Sequence, residues 1–203
     1  MSQLDKTEKQ ALLEIARKAI FLALTDGRSQ EITSPLEALA APGGAFVTLR
    51  KRGRLRGCIG RIAASKSLAK LVSECAVAAA TEDPRFSRLR ANDLAELGIE
   101  ISVLSAAEAV TPDRVEPGKH GLIISRNCQR GVLLPQVAAE HRLSREHFLE
   151  ETCRKAGLAP NAWQDPSTQI EIFTAEVFSD SDFRTGTCNQ ADFGELDGYS
   201  SSQ

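Results

Sequence analysis

The chain has 203 residues, 42% hydrophobic and 26% charged, enough apolar material for one sizeable domain or two small lobes without disulfide or metal staples. Its formal net charge of -2 excludes a global pull toward nucleic acid or acidic membrane, so any basic site must be local. The five cysteines, Cys58, Cys75, Cys128, Cys153 and Cys188, are scattered, odd in number and never paired as C-x-x-C, which argues against a zinc site and against a secreted disulfide framework.

Residues 7–24 place Leu12, Ile15, Ala16, Ala19, Ile20 and Ala23 at spacings of three and four, which predicts an amphipathic helix. Asp26-Gly27 ends it. Residues 31–44, with two prolines and a Gly-Gly pair, read as a connection with one helical turn. Residues 45–49 alternate as a strand, Lys51-Arg52-Gly53 reads as a hairpin turn, and residues 54–60 as the return strand. A second helical stripe, Leu68, Leu71, Val72, Cys75 and Ala79, is stopped by Asp83-Pro84. A short helix or turn at 93–98 precedes a strand at 99–104.

The stretch 111–119 is polar, carries two prolines and a glycine, and reads as a crossing between lobes. A second hairpin pairs 122–125 with 132–134. Residues 135–141 are helical, with Pro135 in the first turn. Ser144 caps a helix whose inner face is Phe148, Leu149, Cys153 and Ala156, ended by Gly157. Pro166-Ser167 reads as the return crossing, and 170–178 as one final alternating strand. The expected organisation is a larger lobe formed by 1–107 and 168–180, a smaller lobe at 108–167 and a mobile tail at 181–203. Hairpins and irregular connections predict an α+β fold: an antiparallel sheet with flanking helices in the larger lobe, a smaller α+β lobe, and a cleft between them as the default site. Met1-Ser2-Gln3-Leu4-Asp5-Lys6 shows no basic-then-apolar leader, and no apolar run nears the roughly 18 residues of a membrane span. A cytoplasmic location without membrane contact is therefore expected.

The return strand carries the chemistry. Strict alternation turns Leu55, Gly57 and Ile59 to the core and sets Cys58 among Arg54, Arg56 and Gly60. A guanidinium favours the thiolate of a nearby cysteine, and the thiolate is the nucleophilic form. Glycine inside a strand marks close approach of a backbone or ligand. Cys58 is thus either a reactive or ligand-contacting thiol, or a small buried residue of the kind cysteine often is. Cys75 and Cys153 belong to helical core stripes. His120, between Gly118-Lys119 and Gly121, is a candidate acid or base, or a surface residue. Gln136 and Glu140, four apart on one helix, present an amide and a carboxylate together, or simply a solvated face. The three histidines do not form a metal site by spacing, and no motif implies a cofactor. The basic run 50–61 lacks interleaved aromatics, which disfavours nucleic acid and favours a small anionic molecule or peptide.

Leu55-Arg56-Gly57-Cys58-Ile59-Gly60 resembles the hallmark of the AMMECR-one domain family, whose bacterial and archaeal members are called AmmeMemoRadiSam system protein A. Asp83-Pro84-Arg85-Phe86, Ile99-Glu100-Ile101-Ser102-Val103-Leu104-Ser105, His120-Gly121-Leu122, Leu133-Leu134-Pro135-Gln136-Val137-Ala138 and Lys155-Ala156-Gly157-Leu158 with Trp163 resemble the family's further blocks in order. Where relatives often have proline after Phe86, this chain has Ser87. The resemblance implies two unequal lobes with the hexapeptide facing the cleft, no established activity, and association with a Memo-like protein and a radical S-adenosylmethionine protein. Two functions follow as expectations. One is an enzyme in which Cys58 attacks or binds a substrate, Arg56 and Arg54 hold its negative charge, and His120 or Glu140 moves a proton. The other is a non-catalytic adaptor that binds a protein or peptide partner.

Overall fold

A computed structural model describes residues 3–26, 34, 36–62 and 65–183. Helix α1 spans Lys6–Thr25. Its first turn is closed by a capping box: the Glu8 amide donates to Asp5 Oδ1 at 2.8 Å, and the Asp5 amide to Glu8 Oε2 at 2.7 Å. The six residues of the expected stripe are all buried, joined by Leu13. Strands β1 (Gly44–Lys51) and β2 (Arg54–Arg61) follow the single turn α2 (Glu37–Ala40) and form a hairpin. Its turn residues Arg52 and Gly53 have φ of 50° and 76°, the positive-φ pair that matches strand twist. Helix α3 (Leu68–Thr81) starts at the Ser67 cap. A 3-10 segment, Ala91–Glu96, leads into β3 (Leu97–Leu104).

The chain then builds a second sheet from β4 (Glu108–Ala109), β5 (Gly121–Arg126), β6 (Gln129–Leu133) and, after helices α4 (Pro135–Glu140) and α5 (Arg145–Lys155), β7 (Gln169–Phe173). It ends with β8 (Ala175–Ser179) back in the first sheet. The strand orders are β2-β1-β3-β8 and β4-β7-β5-β6, all neighbours antiparallel, so the fold is α+β. Helices α1 and α3 cover one face of the first sheet, where Leu12, Ile20, Val47, Leu49, Leu71 and Ile101 form the main core. Helix α5 covers one face of the second, its Phe148 and Leu149 sharing a core with Leu122, Ile124 and Ile170. Leu104, Ile123 and Phe173, with Phe46, Ile62 and Leu134 packed around them, join the two sheets.

Two sequence expectations fail here. Residues 170–178 are two strands in different sheets, because the chain switches sheets at Thr174. The return to the first sheet therefore comes at Ala175, not at 168, and the turn at Pro166-Ser167 still leads into the second sheet. Outgoing and returning segments run side by side: the Ser105 amide donates to the Thr174 carbonyl at 2.9 Å, and the Thr174 amide to Ser105 Oγ at 3.0 Å. The sequence hides this break because apolar residues continue across it, Ile170, Ile172 and Phe173 before Thr174 and Ala175, Val177 and Phe178 after it. The tail expectation also begins too early. Asp180–Asp182 form a 3-10 turn, and Phe183 packs against the main core. Residues 184–203, with Cys188, lie outside the described residues, as does Gly27.

Strand β2 also departs from strict alternation. Leu49 pairs with Gly57 but Arg50 pairs with Leu55, so Arg56 is an inserted bulge residue. Leu55 therefore shares the face of Arg50 and is only half-buried, while Gly57 and Ile59 keep the core face. Gly57 meets α3 so closely that a Cβ would lie 2.0 Å from the Ala79 carbonyl oxygen, and a Cβ on Gly60 would lie 2.3 Å from the Phe46 ring. The space beside both glycines is filled by protein, not left open for a ligand. Among the described residues no helix is long and apolar enough to cross a membrane. Gly57→Ala is expected to cost about 1–3 kcal/mol by overpacking in urea denaturation. Gly98→Ala, whose Cβ meets only the Arg50 carbonyl at 3.7 Å, should change stability by less than ~1 kcal/mol.

Candidate functional site

Cys58 lies on the outer face of the first sheet, away from α1 and α3, in an edge strand. Its cross-strand partner is Thr48. Their backbone groups point away from each other, which brings the side chains close. Thr48 Oγ1 donates to Cys58 Sγ at 3.3 Å. The sulfur belongs to a half-buried residue, whereas Thr48 is 9% exposed. Continuing the row across the sheet, Thr48 pairs with Glu100, and Glu100 with Ser179.

The outward amide of Cys58 has no strand to bond. It donates instead to Asp83 Oδ2 at 2.8 Å. Asp83 is buried, and its carboxylate also receives Arg85 Nη2 at 2.7 Å, Arg85 Nε at 3.0 Å and the Arg85 amide at 3.1 Å. Hydrogen bonds from the Arg85 side chain first, then from the Cys58 and Arg85 amides, hold the Asp83 carboxyl well below the usual carboxylate range against the opposing effect of burial. Arg85 Nη2 reaches back to the Cys58 carbonyl at 3.5 Å. The segment after α3 thus caps the exposed edge of β2 at the cysteine. It also brings the Arg85 guanidinium, held in its ionised form chiefly by the hydrogen bond to Asp83, to the backbone of Cys58.

Arg56, the bulge residue, turns to the same segment. Its Nη2 donates to the Ser87 carbonyl at 3.2 Å and to Ser87 Oγ at 3.4 Å. Arg56 and Arg85 both lie against the ring of Phe86, their guanidinium carbons 5.9 and 5.2 Å from its centre. Arg56 is therefore a neighbour of Phe86 and Ser87. The cation that reaches Cys58 is Arg85, through the Cys58 carbonyl.

The other expected site residues do not converge on the thiol. His120 is buried, and its Nδ1 accepts the Glu116 amide at 3.2 Å while its own amide donates to the Glu116 carbonyl at 2.9 Å. That fixes the imidazole as the closing member of the loop ahead of β5, with no contact to Cys58 among the described residues. Glu140 is exposed at the end of α4. Gln136 is half-buried, and its Oε1 is enclosed without a hydrogen-bond partner among the described residues. Arg54 is exposed. The remaining described cysteines differ from Cys58. Burial pushes the Cys75 thiol up to about 11 and raises that of Cys153, while Cys128 is exposed in the β5–β6 turn. No group of three metal-ligating side chains occurs among the described residues.

The family model AMMECR1 matches residues 13–178. This chain belongs to the AMMECR1 family. Protein MK0488 of Methanopyrus kandleri is 38% identical over 190 residues, spanning 89% of this chain and 92% of that protein. Protein PF1979 of Pyrococcus furiosus is 38% identical over 183 residues, spanning 83% and 86%. The crystal structure of uncharacterized protein PH0010 from Pyrococcus horikoshii is 35% identical, covers 83% of this chain and 89% of its own, and superposes with a TM-score of 0.76.

The AMMECR1 span contains every residue that holds Cys58 in place, yet Thr48, Asp83 and Arg85 are not among the residues expected from the sequence. The signal for Thr48 is its position across the hairpin, but a regular turn at Arg52-Gly53 would pair it with Gly57. Only the bulge moves it opposite Cys58. Asp83 carries a local signal as the residue that stops α3, and nothing local says that its carboxylate grips β2. Its low folded-state pKa means the unfolded chain binds the proton more tightly. The resulting stability is complete above the ~3.9 of free aspartate and is lost as pH falls below it toward the depressed value. Asp83→Asn is expected to lower stability at neutral pH by about 2 kcal/mol, a reduced figure because Arg85 is half in water, and to flatten the acid limb of stability against pH. Chemical denaturation across a pH series measures both.

Proposed function

We propose that this AMMECR1 protein carries a cysteine-dependent site for a small anionic substrate, with Cys58 as the reacting thiol and Arg85, flanked by Arg56, as the cationic rim. The observation that carries the reading is the Thr48 hydroxyl donated to the sulfur of a half-buried cysteine. A hydrogen bond to sulfur favours the thiolate, the form that attacks an electrophile. The backbone of Cys58 is pinned by Asp83, so the sulfur is held in place before any substrate arrives. Guanidinium groups at the rim suit a carboxylate or phosphate, Arg85 through its Nη1, since its Nε and Nη2 already hold Asp83. The cytoplasm, with its reduced thiols, fits such a site.

A second reading is favoured by the Arg56–Phe86–Arg85 stack on the exposed flank: an adaptor surface for an acidic segment of a protein. The Memo-like and radical S-adenosylmethionine proteins implied by the family resemblance are its candidates.

Labelling the native protein with limiting iodoacetamide over a pH series, followed by peptide mass mapping, tests the first reading. Cys58 should react faster than exposed Cys128 at each pH. Thr48→Val should slow it about fivefold, the weight of one hydrogen bond of ~1 kcal/mol. Equal rates for Cys58 and Cys128 would sink the thiol reading. Capture of the two candidate partners that survives Cys58→Ala and is lost in Arg56→Ala would favour the adaptor.

A further inference from the structure

Strand β3 is longer than its neighbour at one end. It begins at Leu97, whereas β8 stops at Ser179, opposite Glu100, and turns away through Asp180–Asp182. The sheet is left open beside Gly98. A cleft of about 460 Å³ lies there, at the hairpin end of the outer face, lined in part by Arg50, Ala95, Gly98, Glu100, Ser179 and Ser181. That size falls within the range of small-molecule sites. Gly98 forms a bare floor: a Cβ there would meet nothing nearer than 3.7 Å.

Most charges around the cleft are already matched. Arg52 holds Glu96 through Nε at 2.9 Å and Nη2 at 2.5 Å. Asp180 Oδ2 accepts Arg17 Nη2 at 2.5 Å and the Ile99 amide at 2.8 Å. Arg50 and Glu100 are different. The Arg50 Nε lies 3.9 Å from Glu100 Oε2, beyond hydrogen-bond reach, and the two side chains are 44% and 30% exposed. An anion alone on Arg50 would leave Glu100 facing it unmatched, and a cation alone on Glu100 would strand Arg50. A ligand that carries both charges on neighbouring atoms satisfies both.

We propose that the cleft over Gly98 binds an α-amino-carboxylate, with the carboxylate on Arg50, the ammonium on Glu100 and the side chain over the Gly98 floor. The short Arg50–Glu100 separation suits a head group with its two charges on adjacent carbons better than a longer dipolar molecule. The site stands independently of the thiol reading, since it requires no reaction at Cys58. Glu100 is two strands from Cys58 in the same row, about 10 Å at sheet spacing, so a ligand here has one end within reach of the thiol's surroundings.

Titrating L-leucine into ¹⁵N-labelled protein tests the proposal. Saturable amide shifts are expected at Gly98, Ser179 and Ser181. Butyrate, butylamine and γ-aminobutyrate, which lack one charge or separate the two, should produce none. A leucyl-glycine dipeptide distinguishes a free amino acid from a peptide N-terminus: weaker binding than leucine identifies the free amino acid. Arg50→Ala and Glu100→Gln should each weaken leucine binding about tenfold or more, as expected for a lost charge-assisted hydrogen bond. Gly98→Val should abolish it, and Cys58→Ala should leave it unchanged. Both charged residues are at the surface, so their variants keep the test valid if Gly98→Val folds poorly. Absence of saturable shifts with leucine, or equal binding of butyrate, overturns the proposal.

Discussion

One inserted residue, Arg56, sets the direction of Cys58. The hairpin turn at Arg52-Gly53 starts a regular register, and continued unbroken it would pair Cys58 with Val47, a fully buried core residue. The bulge moves the pairing by one position and flips every later side chain of β2 to the other face. Cys58 then meets Thr48 on the outer face, and Gly57 meets α3, where only a residue without a side chain fits. The free edge of β2 needs partners for its outward backbone groups, and Asp83 with Arg85 supplies them at Cys58. Sulfur, carboxylate and guanidinium are thus consequences of a single register shift.

The division between what the sequence disclosed and what it withheld follows the range of the interactions. Helices α1, α3 and α5 are legible because a periodic apolar face is a local property, and so is the Ser144 cap; the caps at Asp5 and Ser67 are added by the structure. The family blocks were legible as text. The bulge was not, because alternation within one strand cannot reveal an insertion that exists only relative to its neighbour. Nor was the break at Thr174, where two strands of the same pattern abut. From its place between Gly118-Lys119 and Gly121, His120 reads equally as a candidate acid or base and as a surface residue. The bond that occupies its Nδ1 comes from the Glu116 amide, a backbone group that side-chain pattern does not register.

In the proposed thiol site, what the structure offers around Cys58 is rigidity rather than a neighbouring base. No histidine or free carboxylate touches the sulfur among the described residues, and a hydroxyl does. Such an arrangement favours a thiol that is positioned and polarised over one deprotonated by a dedicated partner. The Asp83–Arg85 pair contributes indirectly. With Asp83 ionised at any physiological pH, the Cys58 amide stays bonded and Arg85 stays folded back along the strand edge. Both guanidiniums lie against the Phe86 ring.

The two segments that link the sheets meet at Ser105 and Thr174, joined by a pair of hydrogen bonds. Leu104 and Ala175, the residues just outside them, are already cross-strand partners. In connectivity, β3 and β8 are the two arms of an ordinary hairpin, and the whole second sheet with α4 and α5 occupies the place of its loop. An element with coincident entry and exit can be lengthened, shortened or exchanged without altering the register of the sheet that holds Cys58. Variation can therefore concentrate in one half of the molecule while the thiol's own scaffold keeps its geometry.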